Sequence, residues 1–319
     1  MAKIQNNCWD WSPPAKYPAP PATYPAVPVT AICFNLDGTQ VILGGYHELT
    51  VWDANTGQLL RRIPNIGQRS FAIALSPDGK TLAVACGEPG RSGEVRIVDW
   101  GTGEVTSVIS RSIDVILDVA FRPSRDEIGV AAADNSVRII NYRSGELVRG
   151  YSSHADWVTA LAFSADGNKL VSASRDKSAK VFDLESGQML INYAGHGLPV
   201  RGVAFSADGA QVVSVGDDKK LHRWNIADAK KIAEVGLDGE AFHIARVDNS
   251  VYVPSASRRV LKIDLASNKV AAAFAGHDDW VLSVAVATDG RIASGSTNGI
   301  AKVFMPDGKE VSGWIASPK

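Results

Sequence analysis

Short apolar runs recur along most of the chain, and each ends in a turn built from Gly, Asp, Asn or Ser. The clearest are AICFNLDG, IALSPDG, LAFSADG, VAFSADG and VAVATDG, each reading as a strand that runs into a turn. The turn glycines Gly38 and Gly79 stand 41 residues apart, and Gly167 and Gly209 stand 42 apart. The wider gaps, Gly79 to Gly167 and Gly209 to Gly290, each hold one more degenerate turn, at PSRDE (123–127) and at Asp248-Asn249. A second apolar run follows each turn, as in QVILGGY, TLAVAC and KLVSAS. A third ends in an aromatic or aliphatic residue, usually with a polar one after it, as in TVWD, RIVD, AKVFD and HRWN. Tight turns such as NTG, GTG, RSG and ESG then lead into a fourth run. No segment keeps a helical period over three turns.

The pattern predicts seven units, spanning approximately 29–66, 67–111, 112–154, 155–196, 197–237, 238–277 and 278–319. A repeat of about 40–45 residues is the length of a four-stranded propeller blade. One such sheet cannot cover both its faces alone, whereas radial packing against like neighbours covers both and leaves only short outer edges. The predicted fold is therefore all-β, a single seven-bladed β-propeller of four-stranded antiparallel blades. The last unit supplies its own fourth strand, EVSGWI (310–315), so the ring is expected to close without borrowing one from the N-terminus. Residues 1–28 are set apart by SPPAKYPAPPATYPAVP, whose prolines disfavour a ladder and favour an extended linker or surface strap.

Composition narrows the function classes. The chain of 319 residues carries 33 basic and 34 acidic side chains, a net charge of -1, so nothing in the total favours nucleic acid. No apolar run is long enough for a membrane helix, and MAKIQNNCWDW lacks the apolar core of a secretory signal. Cys33 and Cys86 lie in apolar runs and Cys8 lies in the tail; no CxxC or CxxCH is present.

The repeats resemble the WD-repeat family from residue 29 to about 316, in period and in patchy signatures. Trp52-Asp53 matches the Trp-Asp pair, Gly195-His196 and Gly276-His277 match the Gly-His pair, and Ser153-His154 is near it. The resemblance implies a hydrogen-bonded set in each blade: a loop His, a strand Ser or Thr, a turn Asp and a third-strand Trp. The fifth unit holds all four as His196, Ser214, Asp218 and Trp224. The fourth holds His154, Ser172 and Asp176, with Phe182 for Trp. The seventh holds His277 and Ser294, with Asn298 for Asp and Phe304 for Trp. Units one, two, three and six lack the His, which implies that they are held more by apolar packing. GGYHELTVWD and GEPGRSGEVRIVD also look like bacterial propeller domains attached to c-type cytochromes.

Several residue groups suggest chemistry. His, Ser and Asp together invite a hydrolase reading, but a trio repeated at equivalent positions fits satisfied structural groups better than one active site. The six histidines show no HxH or HExxH spacing, so no metal is assigned. GEPGRSG (87–93) lacks the GxxxxGK[ST] pattern and no helix follows it, so it reads as a lengthened loop. Arg96, Arg138, Lys180 and Lys302 recur on third strands and read as ordinary strand charges, with a basic ring as the alternative.

Trp157 and Trp280 occupy equivalent places in HADWV and HDDWV, just before innermost strands. In an antiparallel blade the loop entering the first strand and the loop joining strands two and three share one end. The candidate partner-binding face is accordingly Arg69, Arg91, Trp157, Arg175, Arg201, Asp217 and Trp280, with no catalytic or cofactor-binding residue and no cofactor. The expected function is a non-enzymatic scaffold for a protein or peptide, monomeric as an isolated domain. One alternative is a propeller module of a larger exported, cytochrome-linked protein; the chain as given otherwise reads as cytoplasmic. Another is an enzyme at the channel mouth, drawing on Asp118, Arg201, Glu240 or His243.

Overall fold

The computed structural model describes residues 16–318. It contains seven four-stranded antiparallel sheets, each a simple meander of four consecutive strands. The predicted seven-bladed all-β propeller is the observed fold. Blade one runs through Ile32–Phe34, Gln40–Gly44, Glu48–Asp53 and Leu59–Pro64. Blade four, the most regular in sequence, runs through Val158–Phe163, Lys169–Ser174, Ala179–Asp183 and Met189–Tyr193.

Local polar contacts explain why the turns fall where they do. In the first hairpin of blades two, four and five a Ser hydroxyl donates to the turn Asp: Ser76 to Asp78, Ser164 to Asp166 and Ser206 to Asp208. The glycine that follows Asp78 takes φ 70°, a conformation that costs an L side chain energy. In the last hairpin the Asp that ends the third strand accepts the N–H three residues on, at 2.7 Å for Asp99–Thr102, Asp183–Ser186 and Asp264–Ser267.

In blade four the second and third strands are buried almost throughout, whereas the outer strand exposes three of its five positions. The apolar side chains collect into seven clusters, one at each blade–blade interface. The cluster between blades seven and one joins Val29, Phe34, Val41 and Trp52 to Ala293, Val303 and the partly buried Trp314. Blade seven draws all four strands from the C-terminal segment: Val281–Val286, Ile292–Ser296, Ile300–Phe304 and Glu310–Ile315. The ring therefore closes as expected, by side-chain packing and by crossing hydrogen bonds. Val29 N–H donates to the Ser296 carbonyl at 3.1 Å, and the Ser283 hydroxyl donates to the Val29 carbonyl at 2.7 Å.

The described part of the N-terminal segment lies along the blades as a strap. Tyr17 N–H donates to Asn65 Oδ1 at 2.8 Å, and Arg62 donates to the Pro21 and Ala22 carbonyls. The Ser317 hydroxyl donates to the Tyr24 carbonyl, which ties the strap to blade seven. Cys8 lies outside the described residues.

GEPGRSG is not the lengthened loop expected from its glycines. The strands themselves extend, as Thr81–Glu88 and Ser92–Asp99, with Gly87 paired to Gly93, so only Pro89–Arg91 turns. A Cβ on Gly93 would meet the Asp114 carbonyl at 2.2 Å, so this glycine serves close packing against blade three. Blades one to three add polar groups to the apolar packing expected of them. Each encloses an ion pair: Glu48–Arg62 at 2.7 Å, Glu94–Arg96 at 2.7 Å and Asp134–Arg138. Arg96 and Glu94 are fully buried, with the Tyr17 ring of the strap 4.5 Å from the guanidinium.

Candidate partner-binding face

The histidine sets decide whether the chemistry is structural. In blade five the Trp224 indole N–H donates to Ser214 Oγ at 3.2 Å. The Ser214 hydroxyl lies 2.8 Å from His196 Nε2, and His196 Nδ1 lies 2.9 Å from Asp218 Oδ2. A carboxylate only accepts, so Nδ1 carries the proton and Nε2 accepts from the serine. The chain of donors runs Trp to Ser to His to Asp, from the interior toward the loop. Blade four repeats it without the indole: His154 Nδ1 is 2.8 Å from Asp176 and Nε2 is 2.7 Å from Ser172, with Phe182 filling the Trp position. Burial lowers the pKa of both histidines, which keeps the rings neutral.

Blade seven departs from this pattern. His277 Nε2 lies 2.8 Å from Ser294 Oγ, but its Nδ1 has no partner among the described residues. Asn298 does not complete the set. Its Oδ1 instead accepts from the Ser296 hydroxyl and the Ile300 N–H within its own turn. Burial, with Lys302 adding to it, pushes His277 down to about 4.

His222 was not among the sequence candidates, yet it stacks on His196 with ring centroids 4.0 Å apart and planes 19° apart. One ligand atom from each of His196, Asp218 and His222 lies within 4.8 Å of the others. Stacked imidazoles direct their in-plane lone pairs side by side, so the two rings do not converge on one ion. His222 Nδ1 instead meets the Tyr193 hydroxyl at 3.0 Å. Its third-strand place in HRWN gave no sign of the stack, which forms across the blade.

The third-strand cations do not form a free basic ring. Arg96 and Arg138 are paired as above, Lys180 donates to the Ser153 carbonyl, and Lys302 pairs with Glu310 at 2.7 Å.

The meander sets Trp157, Trp280 and the turns between second and third strands at one end of the ring. There the seven candidate residues form separate local groups. The Arg175 guanidinium lies 4.5 Å over the Trp157 ring, and Trp157 N–H donates to the preceding Asp156. Arg201 and Asp217 satisfy each other through two bonds of 2.8 Å. Arg91 pairs with Glu88 at 2.7 Å, and Arg69 lies over Phe71 at 5.4 Å. Trp280 is 48% exposed and stacks on Phe242 with centroids 5.9 Å apart.

Through Phe242 the Trp280 stack meets a channel of about 390 Å³ lined by the innermost strands of all seven blades. Its lining includes Phe71, Leu117, Phe242 and Leu282, all half-buried and one or two residues into their strands or bridges. Sequence reading missed these four because apolar residues in an innermost strand look like core. Asp118 and His243 also face the channel. Burial pushes Asp118 up to about 7 and His243 down to about 4. Asp118 is nonetheless a structural clip. One oxygen accepts its neighbour Val119 N–H and the other accepts Leu161 N–H of blade four, each at 2.8 Å.

Residues 145–183, 187–225 and 268–304 each match the WD domain, G-beta repeat family. Each stretch begins at or just before one blade's outer strand and runs through three strands of the next. The matched repeats are those that carry His154, His196 and His277. No curated protein matches the chain.

Proposed function

We propose that this chain, whose three matched repeats and seven blades support a WD-repeat β-propeller, is a non-enzymatic interaction module. Propellers of this kind commonly mediate protein interactions. The partner is a protein or peptide that binds across the end of the ring bearing Trp157 and Trp280. The observation that carries this reading is Trp280, half-exposed and stacked on Phe242 at the rim of a channel whose lining is partly apolar. An aromatic anchor beside a part-apolar recess, with charged side chains around it, has the composition of a binding hot spot. No helix among the described residues is long and apolar enough to cross a membrane.

The catalytic alternative has less support. Among the channel groups, Asp118 comes nearest in character to an acid–base catalyst, but both its oxygens are held by main-chain amides. The His–Ser–Asp sets of blades four and five lie between strand and loop, and both imidazole nitrogens of each are bonded within the blade.

The test is affinity purification from the native host, with the chain and its Trp157→Ala/Trp280→Ala variant as baits. A stoichiometric partner that the variant loses, while its unfolding midpoint stays unchanged, is the expected result. A partner retained in full by the folded variant excludes this end of the ring.

A further inference from the structure

Between blades one and two, at the same end of the ring, lies a cleft of about 460 Å³. One wall is the strap at Val27 and Pro28, another is Tyr46, and Arg69, Ser70 and Glu88 face them. Other arginines at this end of the ring are neutralised: Arg91, Arg175, Arg201 and Arg259 each lie within 4.0 Å of a carboxylate. Arg69 differs. Among the described residues it lies over the face of Phe71, with no carboxylate in ion-pair range. The single acid lining the cleft, Glu88, is taken by Arg91 at 2.7 Å.

A second observation points the same way. Among the described residues the buried Ser70 hydroxyl has no hydrogen-bond partner, although buried hydroxyls ordinarily find one. Ser70 belongs to the cleft wall against Gly44, where an added Cβ would come within 2.7 Å of Ser70 Cβ. A guanidinium without a carboxylate partner among the described residues thus lines a recess whose wall holds an unpaired hydroxyl, beside the apolar surfaces of Tyr46, Pro28 and Pro89. A guanidinium fork matches a carboxylate, and partial burial strengthens the pair relative to water. Burial also lowers the Arg69 pKa, a cost that a bound anion relieves.

We infer that this cleft is a binding site for a carboxylate carried on an apolar body, with Arg69 as its anchor and Ser70 as a second donor. This deepens the partner-face reading where Arg69 is concerned, but it does not depend on Trp157 or Trp280. The carboxylate is either a small free acid or an acidic side chain of a peptide.

The test uses the intact chain with two matched pairs of probes. Phenylacetate against phenylacetamide represents the free acid, and acetyl-Pro-Phe-Glu-Pro-amide against its Gln counterpart represents the peptide. Calorimetry gives affinities, and the NMR signal of the Arg69 side-chain N–H reports the location. At least one acid is expected to saturate that signal at millimolar concentration and to bind about tenfold tighter than its neutral partner, which is about 1.4 kcal/mol. Saturation by phenylacetate identifies a small-acid site, and saturation by the Glu peptide alone identifies a peptide site. Arg69→Gln removes the preference, Arg69→Lys keeps part of it, and Trp157→Ala/Trp280→Ala leaves it intact even if the partner reading fails. The inference is overturned if neither acid saturates the signal, if acid and neutral probes bind alike, or if the preference survives in a folded Arg69→Gln variant.

Discussion

The contrast between blades five and seven yields a quantitative prediction. His196 and His277 are almost equally buried, at 5% and 6% exposure, and each is bonded to a strand serine. Only His196 also donates to an acid, Asp218 at 2.9 Å, whereas His277 Nδ1 has no partner among the described residues and Asn298 is turned into its own loop. Two double-mutant cycles separate that bond from the cavities: His196→Ala with Asp218→Ala, and His277→Ala with Asn298→Ala. Removing Asp218 also strands the Gly197 N–H, which it accepts at 3.2 Å, but that loss occurs in both the single and double variants and cancels. A hydrogen bond to a charged group is worth about 1.5–3 kcal/mol, and the Asp218 side chain is only 10% exposed. The expected coupling in blade five is therefore about 2 kcal/mol. In blade seven, where no hydrogen bond joins the two residues, it should fall within about 0.5 kcal/mol. Urea unfolding at pH 8, followed by tryptophan fluorescence and circular dichroism together, measures both. Equal coupling in the two blades, or stronger coupling in blade seven, would refute the assignment of Asn298 away from His277.

Three other outcomes follow from the same geometry. His222, His243 and His277 are pushed down to about 4 by burial, so between pH 6.5 and 4 the folded chain binds fewer protons than the unfolded one. Their stabilisation is complete above pH 6.5 and is lost as pH falls, by at most about 1.4 kcal/mol per pH unit for each group. Asp118, pushed up to about 7, opposes this with one proton, and an unfolding midpoint that rose on acidification from pH 6.5 to 4.5 would contradict the net sign. Asp118→Asn leaves one acceptor for two main-chain N–H groups and should cost about 1–3 kcal/mol; an unchanged urea midpoint would disprove the clip. Arg62→Ala strands the fully buried Glu48 carboxylate and frees the strap carbonyls of Pro21 and Ala22. A loss of about 3–5 kcal/mol is expected, with faster amide exchange confined at first to residues 17–28, and unchanged exchange there would show that Arg62 does not hold the strap.

The fold was legible because its signal is repeated. Each unit restates the same hairpin chemistry, so a degenerate turn such as that at 123–127 is fixed by its neighbours. The self-contained last blade could be read because EVSGWI supplies a fourth strand in sequence. What sequence pattern misses is whatever forms between units. Arg96 on a third strand resembles any solvent-facing charge, and only the ring reveals that Glu94, Asn65 and the strap tyrosine enclose it. The glycines of GEPGRSG suggest a loop until Gly93 is seen against blade three. Asn298 stands at the position of an acid in the repeat, yet a neutral amide has less to gain from an imidazole N–H than a carboxylate has, and its own turn captures it.

The same distinction accounts for how the polar groups are distributed around the ring. Every blade must satisfy polar atoms where strand meets loop, and the chain does so in two ways. Blades four and five use a neutral histidine relay, whereas blades one and two use arginine–glutamate pairs capped by the strap. A buried ion pair resists disruption chiefly because leaving either charge alone is so costly, so it holds only while both partners and their cover remain in place. The strap completes that cover: Tyr17 lies over Arg96, and Arg62 binds the strap carbonyls while it pairs with Glu48. The proline-rich segment is thus a working part of blades one and two, and its removal should destabilise those two blades while leaving the histidine-bearing blades four and five comparatively intact.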